Sequence, residues 1–191
     1  MKNLSVTIAE HRHLTGKRIS LRPIELSDDF QMTEYTSDEE TTRYIFAEPK
    51  NLEQTRRLIA GYYLREPIGK YAVILNDSGK LIGTIEFRIE DQTRSGDLGF
   101  TLSRHYWGHG YMTEAAELIL DLAFGVLQLE RVHAAHETAN VASGRLLIRI
   151  GMTHEGTRRK DHLAGGRQVD SSYYSILKEE YESQSSPSTT T

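Results

Sequence analysis

The run WGHGYMTEAAELILDLAF, residues 107–124, constrains this chain more than any other stretch. Gly108 and Gly110 bracket His109, and an apolar-periodic segment without proline follows at once, which predicts a helix over roughly 109–127. The first turn of a helix leaves backbone N–H groups without intrahelical partners, and the macrodipole adds partial positive charge there. Glycines at such a start let a ligand approach the backbone closely, so the sequence lays out a cradle for an anion, with a diphosphate as the natural guest. A P-loop needs Gly-Lys-Ser/Thr, whereas Tyr111 and Met112 follow Gly110. A dinucleotide fingerprint needs a third glycine after a βαβ strand, whereas Thr113 stands there and the preceding strand belongs to a meander. Neither motif fits. The pattern alone leaves open a tight turn into a helix with no ligand at all.

With 191 residues the chain can bury one substantial core, and 38% apolar with 26% charged residues is ordinary soluble-globular composition. No apolar stretch is long enough for a bilayer, and the first residues lack the apolar core of a signal peptide, so a cytoplasmic protein with no membrane partner is expected. The absence of cysteine removes disulfides, thiolate metal sites and a cysteine nucleophile, and no metal site is expected. A net charge of −4 gives no footprint for nucleic acid and mildly favours a cationic partner.

Along the chain, a polar leader (1–16) precedes a short strand over 17–24 ended by Pro23. Ser27 is the expected cap of a helix carrying Asp28 and Asp29 in its first turn. A short helix over 37–45 follows. Asn51 and Gln54 have capping-box spacing ahead of a helix over 51–64. Strand patterns at 70–75, 81–89 and 96–102 form an antiparallel meander, joined by the turns NDSG and DQTRSG. After the glycine stretch come a strand at 130–137, a helix at 140–151 ended by Gly151, and a hairpin of 152–160 with 169–177. The tail 183–191 has the composition of a disordered segment. The order of elements predicts an α+β fold, a mixed sheet with helices on its faces.

GDLGFTLSRHYWGHGYMTEA together with NVASGRLLIRIGMTHEG resembles the GNAT superfamily of N-acetyltransferases, and within it the branch that acetylates ribosomal-protein N-termini. The likeness runs from about 17 to 182, which marks that span as an acetyltransferase domain. It implies a mostly antiparallel sheet that splays at its centre, and acetyl-CoA as co-substrate. It further implies that Trp107, Gly108, His109, Gly110, Tyr111, Met112 and Thr113 hold the coenzyme diphosphate, and that Phe100, Thr101 and Leu102 pair with the pantetheine arm. Asn140 and Ser143 would lie beside that arm. Members often dimerise, so a homodimer is a further expectation. Two positions depart from the family: His105 stands where Gln or Arg is common, and His109 where Lys or Arg is. A largely neutral imidazole holds a diphosphate less firmly than a fixed cation.

Acetyl transfer needs an amine stripped of its proton, a stabilised thioester oxygen and a departing thiolate. Strand alternation puts Glu86 and Arg88 on one face of 81–89, and a turn centred on DQTR sets Arg88 opposite Asp97 and Glu86 opposite Gly99. Asp97 then reads as a cross-strand partner. Glu86, with a glycine leaving room beside it, reads as the candidate base or as a plain surface glutamate. In related enzymes a tyrosine seven residues after the asparagine protonates the thiolate; here Leu147 occupies that place, which leaves Ser143 or water. Glu25, Asp28, Asp29, Asp38, Glu39 and Glu40 crowd the region that walls the acceptor site in the family, and TRRKDH (157–162) is a basic turn that could reach a phosphate. With no cysteine, the reading is direct transfer to a primary amine, an α-amine of a protein first and a small-molecule amine second. A non-catalytic acyl-CoA sensor and a nucleotide-binding regulator are the alternatives.

Overall fold

A computed structural model describes residues 4–45 and 50–185. The chain forms α1 (Leu4–Glu10), β1 (Leu14–Thr15), β2 (Ile19–Pro23), α2 (Asp29–Thr36), α3 (Glu39–Thr42), α4 (Leu52–Leu58), β3 (Lys70–Leu75), β4 (Leu81–Glu90) and β5 (Ser95–Leu102). There follow α5 (Tyr111–Leu120), β6 (Arg131–Glu137), α6 (Val141–Arg149), β7 (Thr153–Ala164), β8 (Arg167–Leu177) and α7 (Lys178–Ser185). One eight-stranded sheet runs β1-β2-β3-β4-β5-β6-β8-β7 and is antiparallel except where β5 meets β6. The expected α+β architecture is this mixed sheet with helices on both faces. No helix among the described residues is long and apolar enough to cross a membrane.

Each face has its own core, because strand side chains alternate. On one face α5 turns Met112, Ala115, Ala116 and Ile119 inward at helical spacing, against Leu21, Val73, Ile85, Phe87, Val132 and Ile176 of the sheet. On the other, Met32 and Tyr35 of α2 and Ile59 and Tyr63 pack on Ile24, Ala72 and Leu81. Each fully buried aliphatic side chain contributes about 1.5–3 kcal/mol relative to exposure.

Three expectations are corrected. The leader is part of the fold: Leu4 and Ile8 of α1 join the main core, and the Tyr71 hydroxyl donates to the His11 carbonyl at 3.2 Å. Ser27 does not cap α2. The chain enters through a 3-10 turn, Leu26–Asp28, because the buried Asp28 carboxylate is drawn inward by Arg22 at 2.8 and 2.7 Å and accepts the Glu25 N–H at 2.8 Å. The tail expected over 183–191 begins inside α7; residues 186–191 lie outside the described residues.

The helix over 51–64 starts with the Asn51–Gln54 capping box and ends in a π turn, Ile59–Tyr63, closed by Leu64 N–H to the Ile59 carbonyl at 2.9 Å. That extra residue buries Ile59 and Tyr63 while swinging Tyr62 toward β4. Gly151 ends α6 at φ +90°, as the sequence indicates.

Candidate active site

The sheet comes apart at its centre. β5 and β6 pair in parallel only at Ser95, Gly96 and Asp97 with Arg131, Val132 and His133. Beyond that point the strands diverge, and a cavity of about 490 Å³ opens between the end of β5, the start of α5 and the start of α6. Phe100, Thr101, Leu102, Trp107, Gly108, Gly110, Tyr111, Met112, Thr113, Asn140 and Ser143 all line it. Eleven of the sequence-derived coenzyme positions thus converge on one hollow.

At the glycine turn, Gly110 has φ +77° and carries no side chain to cap α5, and the first helical bond runs from Glu114 N–H to the Gly110 carbonyl at 3.1 Å. The N–H groups of Tyr111, Met112 and Thr113 lie ahead of that bond, in the positions that lack intrahelical acceptors. Gly108 has φ +78° with open space around its α-carbon, so glycine is needed there for the backbone alone. The Trp107 indole N–H donates to the Leu102 carbonyl at 2.7 Å and fixes the turn to the end of β5.

Arg18 braces the turn from outside. Its Nη1 donates to the His109 carbonyl at 2.8 Å, its Nε to Glu114 Oε2 at 2.8 Å, and its backbone N–H to Glu114 Oε1 at 2.7 Å. Burial opposes the charge on Glu114, yet these bonds and the Arg18 cation outweigh it and hold the carboxyl below the usual glutamate range. His109 itself does not line the cavity. Its exposed ring lies beside Tyr111, with centroids 5.7 Å apart, so the expected imidazole contact is replaced by a backbone role.

Sequence reasoning missed the cations. Arg43, Arg145 and Arg149 reach the cavity wall, against the single carboxylate Glu40. Arg145 and Arg149 stand four apart on α6, so the signal was a helical repeat of basic residues on its outward face. Tyr44 also lines the hollow, and its hydroxyl donates to the Ala139 carbonyl at 3.1 Å. The basic turn over 157–162 lies elsewhere, with Arg158 held by Asp161 at 3.1 Å.

Asn140 accepts the Ser143 N–H at 3.3 Å as the cap of α6 and lines the cavity as well, so both of its readings hold together. The Ser143 hydroxyl has no partner among the described residues. Leu147 is 1% exposed in the core, one turn further along.

On the other side of the sheet, β4 and β5 have the register read from the turn, with Glu86 opposite Gly99 and Arg88 opposite Asp97. The nearest neighbour to a β-carbon at Gly99 would be Arg88 Nη2, at an ordinary contact distance of 3.5 Å. Glu86 Oε2 accepts from the Tyr62 hydroxyl at 2.6 Å and faces Arg88 Nη1 at 3.5 Å. Buried Lys70 donates to the Tyr62 carbonyl at 2.8 Å and places its ammonium 3.6 Å over the Tyr62 ring. Burial and the bond to Glu86 push the Tyr62 phenol up to about 12, which keeps it a donor. The acidic region is largely neutralised, since Asp28 pairs with Arg22, Asp29 with Arg56, and Asp38 and Glu40 with Arg104.

Comparison with known proteins agrees with this geometry. The family described as acetyltransferase (GNAT) domain matches residues 18–153. The uncharacterized N-acetyltransferase p20 of Bacillus licheniformis is 32% identical over 173 residues, covering 88% of this chain and 97% of that protein. The spermidine N(1)-acetyltransferase of Escherichia coli is 23% identical, covering 85% and 88%. Among solved structures, the GNAT-family acetyltransferase from Bacillus anthracis superposes with a TM-score of 0.80 at 29% identity, covering 87% of this chain and 99% of that one.

Proposed function

Since the chain belongs to the GNAT family and is an acetyl-CoA-dependent acetyltransferase, we propose that it moves the acetyl group directly onto a primary amine, and that this amine is the α-amine of a protein or peptide. The residues fit the coenzyme on three counts: an uncapped α5 start, an arginine-rich wall, and a hollow that runs along the free edge of β5. The N–H groups of Tyr111, Met112 and Thr113 would hold the diphosphate, with Arg145 and Arg149 beside it. Backbone of Phe100 to Leu102 would align the arm. When bound, the coenzyme supplies an activated acetyl thioester.

The chain's own part is to orient, to exclude water and to move protons. A backbone N–H at the divergence of β5 from β6 can donate to the developing oxyanion. The Ser143 hydroxyl can donate to the sulfur, and a thiol pKa near 8.5 makes departure with little assistance feasible.

One observation carries the choice of acceptor: of the six carboxylates gathered around α2 and α3, the four of Asp28, Asp29, Asp38 and Glu40 are matched by arginines. A polyamine needs several unmatched carboxylates, whereas a single ammonium does not. The test has two steps. Thermal unfolding with acetyl-CoA at about 100 times its Kd should gain about 2.7 kcal/mol, and Gly110→Val should abolish the gain. Mass spectrometry then compares short peptides with spermidine and amino acids as acceptors. Faster peptide acetylation supports the α-amine; faster spermidine acetylation replaces it with a small-molecule amine. Binding without transfer to any amine would leave an acyl-CoA sensor.

A further inference from the structure

We infer that His133, oriented by Asp97, takes the proton from the incoming amine; this rests on the acetyl-transfer reading above. The first ground is position. Asp97 and His133 are the last pair in the parallel ladder before β5 and β6 part. A guest seated at the start of α5 and running back along Leu102 to Phe100 points at that pair, with three residue steps, or about 10 Å of strand, from Phe100 to Asp97. The tip of such a guest therefore arrives where these two residues stand.

The second ground is orientation. Leu98, Val132 and Ala134 face the core under α5, so Asp97 and His133 project from the opposite face, together with Glu86 and Arg88. An amine can approach there while the coenzyme occupies the other side of the split. His133 is part-exposed, with 36% of its side chain accessible.

The third ground is the division of partners. Asp97 Oδ2 is held by Arg88 Nη2 at 2.9 Å, while Oδ1 faces His133 Nδ1 at 3.7 Å. That contact is longer than a hydrogen bond, and pairs of this kind tighten when substrate binds. With Nδ1 directed at the carboxylate, Nε2 is left facing outward, and it has no partner among the described residues. An imidazole with one nitrogen toward a carboxylate and the other free has the layout of a base beside its acid, at a separation that must shorten for the bond to form. Glu86, by contrast, has Oε2 engaged by both Tyr62 and Arg88, and it adjoins Asp97 through Arg88 alone. The other charged or polar groups around His133 are Arg131 on its own strand, Ser175 opposite it on β8, and Glu155 on β7. Arg131 and Glu155 are bound to each other, at 2.6 and 2.5 Å, and Ser175 donates to Glu155 at 2.8 Å.

The step balances as follows. One proton passes from the ammonium nitrogen to His133 Nε2, and the freed lone pair forms the new N–C bond at the thioester carbonyl. The C–S bond breaks, a second nitrogen proton ends on the sulfur through Ser143 or water, and the imidazolium releases its proton to solvent. The products are the acetamide and free coenzyme A.

The experiment compares wild type, His133→Gln and His133→Ala with the best peptide acceptor, each first checked for fold and acetyl-CoA affinity by thermal unfolding. His133→Gln should lower kcat by about 100-fold or more at unchanged coenzyme affinity and flatten the acidic limb of the pH–rate profile. Imidazole should restore part of the rate to His133→Ala. Independently of turnover, the His133 ring signals in NMR spectra should move when the acceptor peptide is added to the protein saturated with coenzyme A. A His133→Gln enzyme that keeps its rate and its pH profile, while wild type acetylates, overturns the inference and leaves acetyl transfer standing. A wild type that binds acetyl-CoA and acetylates no amine removes the transfer reading, and this one with it.

Discussion

Arg18 and Glu114, ninety-six positions apart in sequence, meet through two hydrogen bonds that tie the approach to β2 to the first turn of α5. The same arginine holds the His109 carbonyl, so the glycine turn is fixed from both ends. Glu114 is the ionised partner, with its carboxyl held below the usual range. Its contribution to stability is therefore complete above about pH 4.3, the ordinary glutamate value, and is lost as pH falls through the depressed folded value. Denaturant melts between pH 6 and pH 3 should show a smaller loss of stability on acidification in Glu114→Gln than in wild type.

Gly108→Ala and Gly110→Ala should separate backbone strain from crowding. Both glycines sit at positive φ, which costs an alanine about 1 kcal/mol at each site. At Gly110 the new methyl would also lie 3.4 Å from Arg18 Nη2, in a turn that Arg18 already fixes. The expected result is a Tm lowered in both variants, with the larger loss of acetyl-CoA affinity at Gly110. Calorimetric titration of the two proteins measures it.

Arg145 and Arg149 should act through charge. Replacing either with glutamine should weaken acetyl-CoA binding about 3- to 10-fold, and replacing both should flatten the dependence of Kd on ionic strength. Titrations at low and high salt give the slope directly. An unchanged slope would separate these arginines from the phosphates.

Asp28→Ala tests the entry to α2. The carboxylate is 3% exposed and is matched by Arg22, whose side chain is 28% exposed. Removing one member of such a pair leaves the other uncompensated, at a cost of about 3 kcal/mol. Urea unfolding should register a loss of that size, whereas Ser27→Ala should change stability by less than about 0.5 kcal/mol.

What could be read in advance was local chemistry. The α5 start was legible because glycines and an apolar helix stand side by side, and the Arg88–Asp97 register followed from one turn. The Asn51 cap and the Gly151 stop are signals confined to four residues. Failures came where distant partners decide. Ser27 and Asp28 are equally good caps by residue type, and the choice between them falls to Arg22, which draws the Asp28 carboxylate inward. Glu86 was read without its partners, and Tyr62, brought in by the distant π turn, donates to its carboxylate. In α1, Leu4 and Ile8 alone announce a buried face, too short a pattern to distinguish from a polar leader. His133 drew no notice because its meeting with Asp97 depends on a parallel contact across the intervening α5.

The sheet resembles an open book. One leaf is the meander that ends in β5, the other the antiparallel group of β6, β8 and β7, and the spine is three residue pairs long. Any change in the angle between the leaves pivots on Ser95 to Asp97 against Arg131 to His133. Opening the book wider thus strains those pairs first. Amide exchange along this spine would gauge how firmly the two leaves are bound.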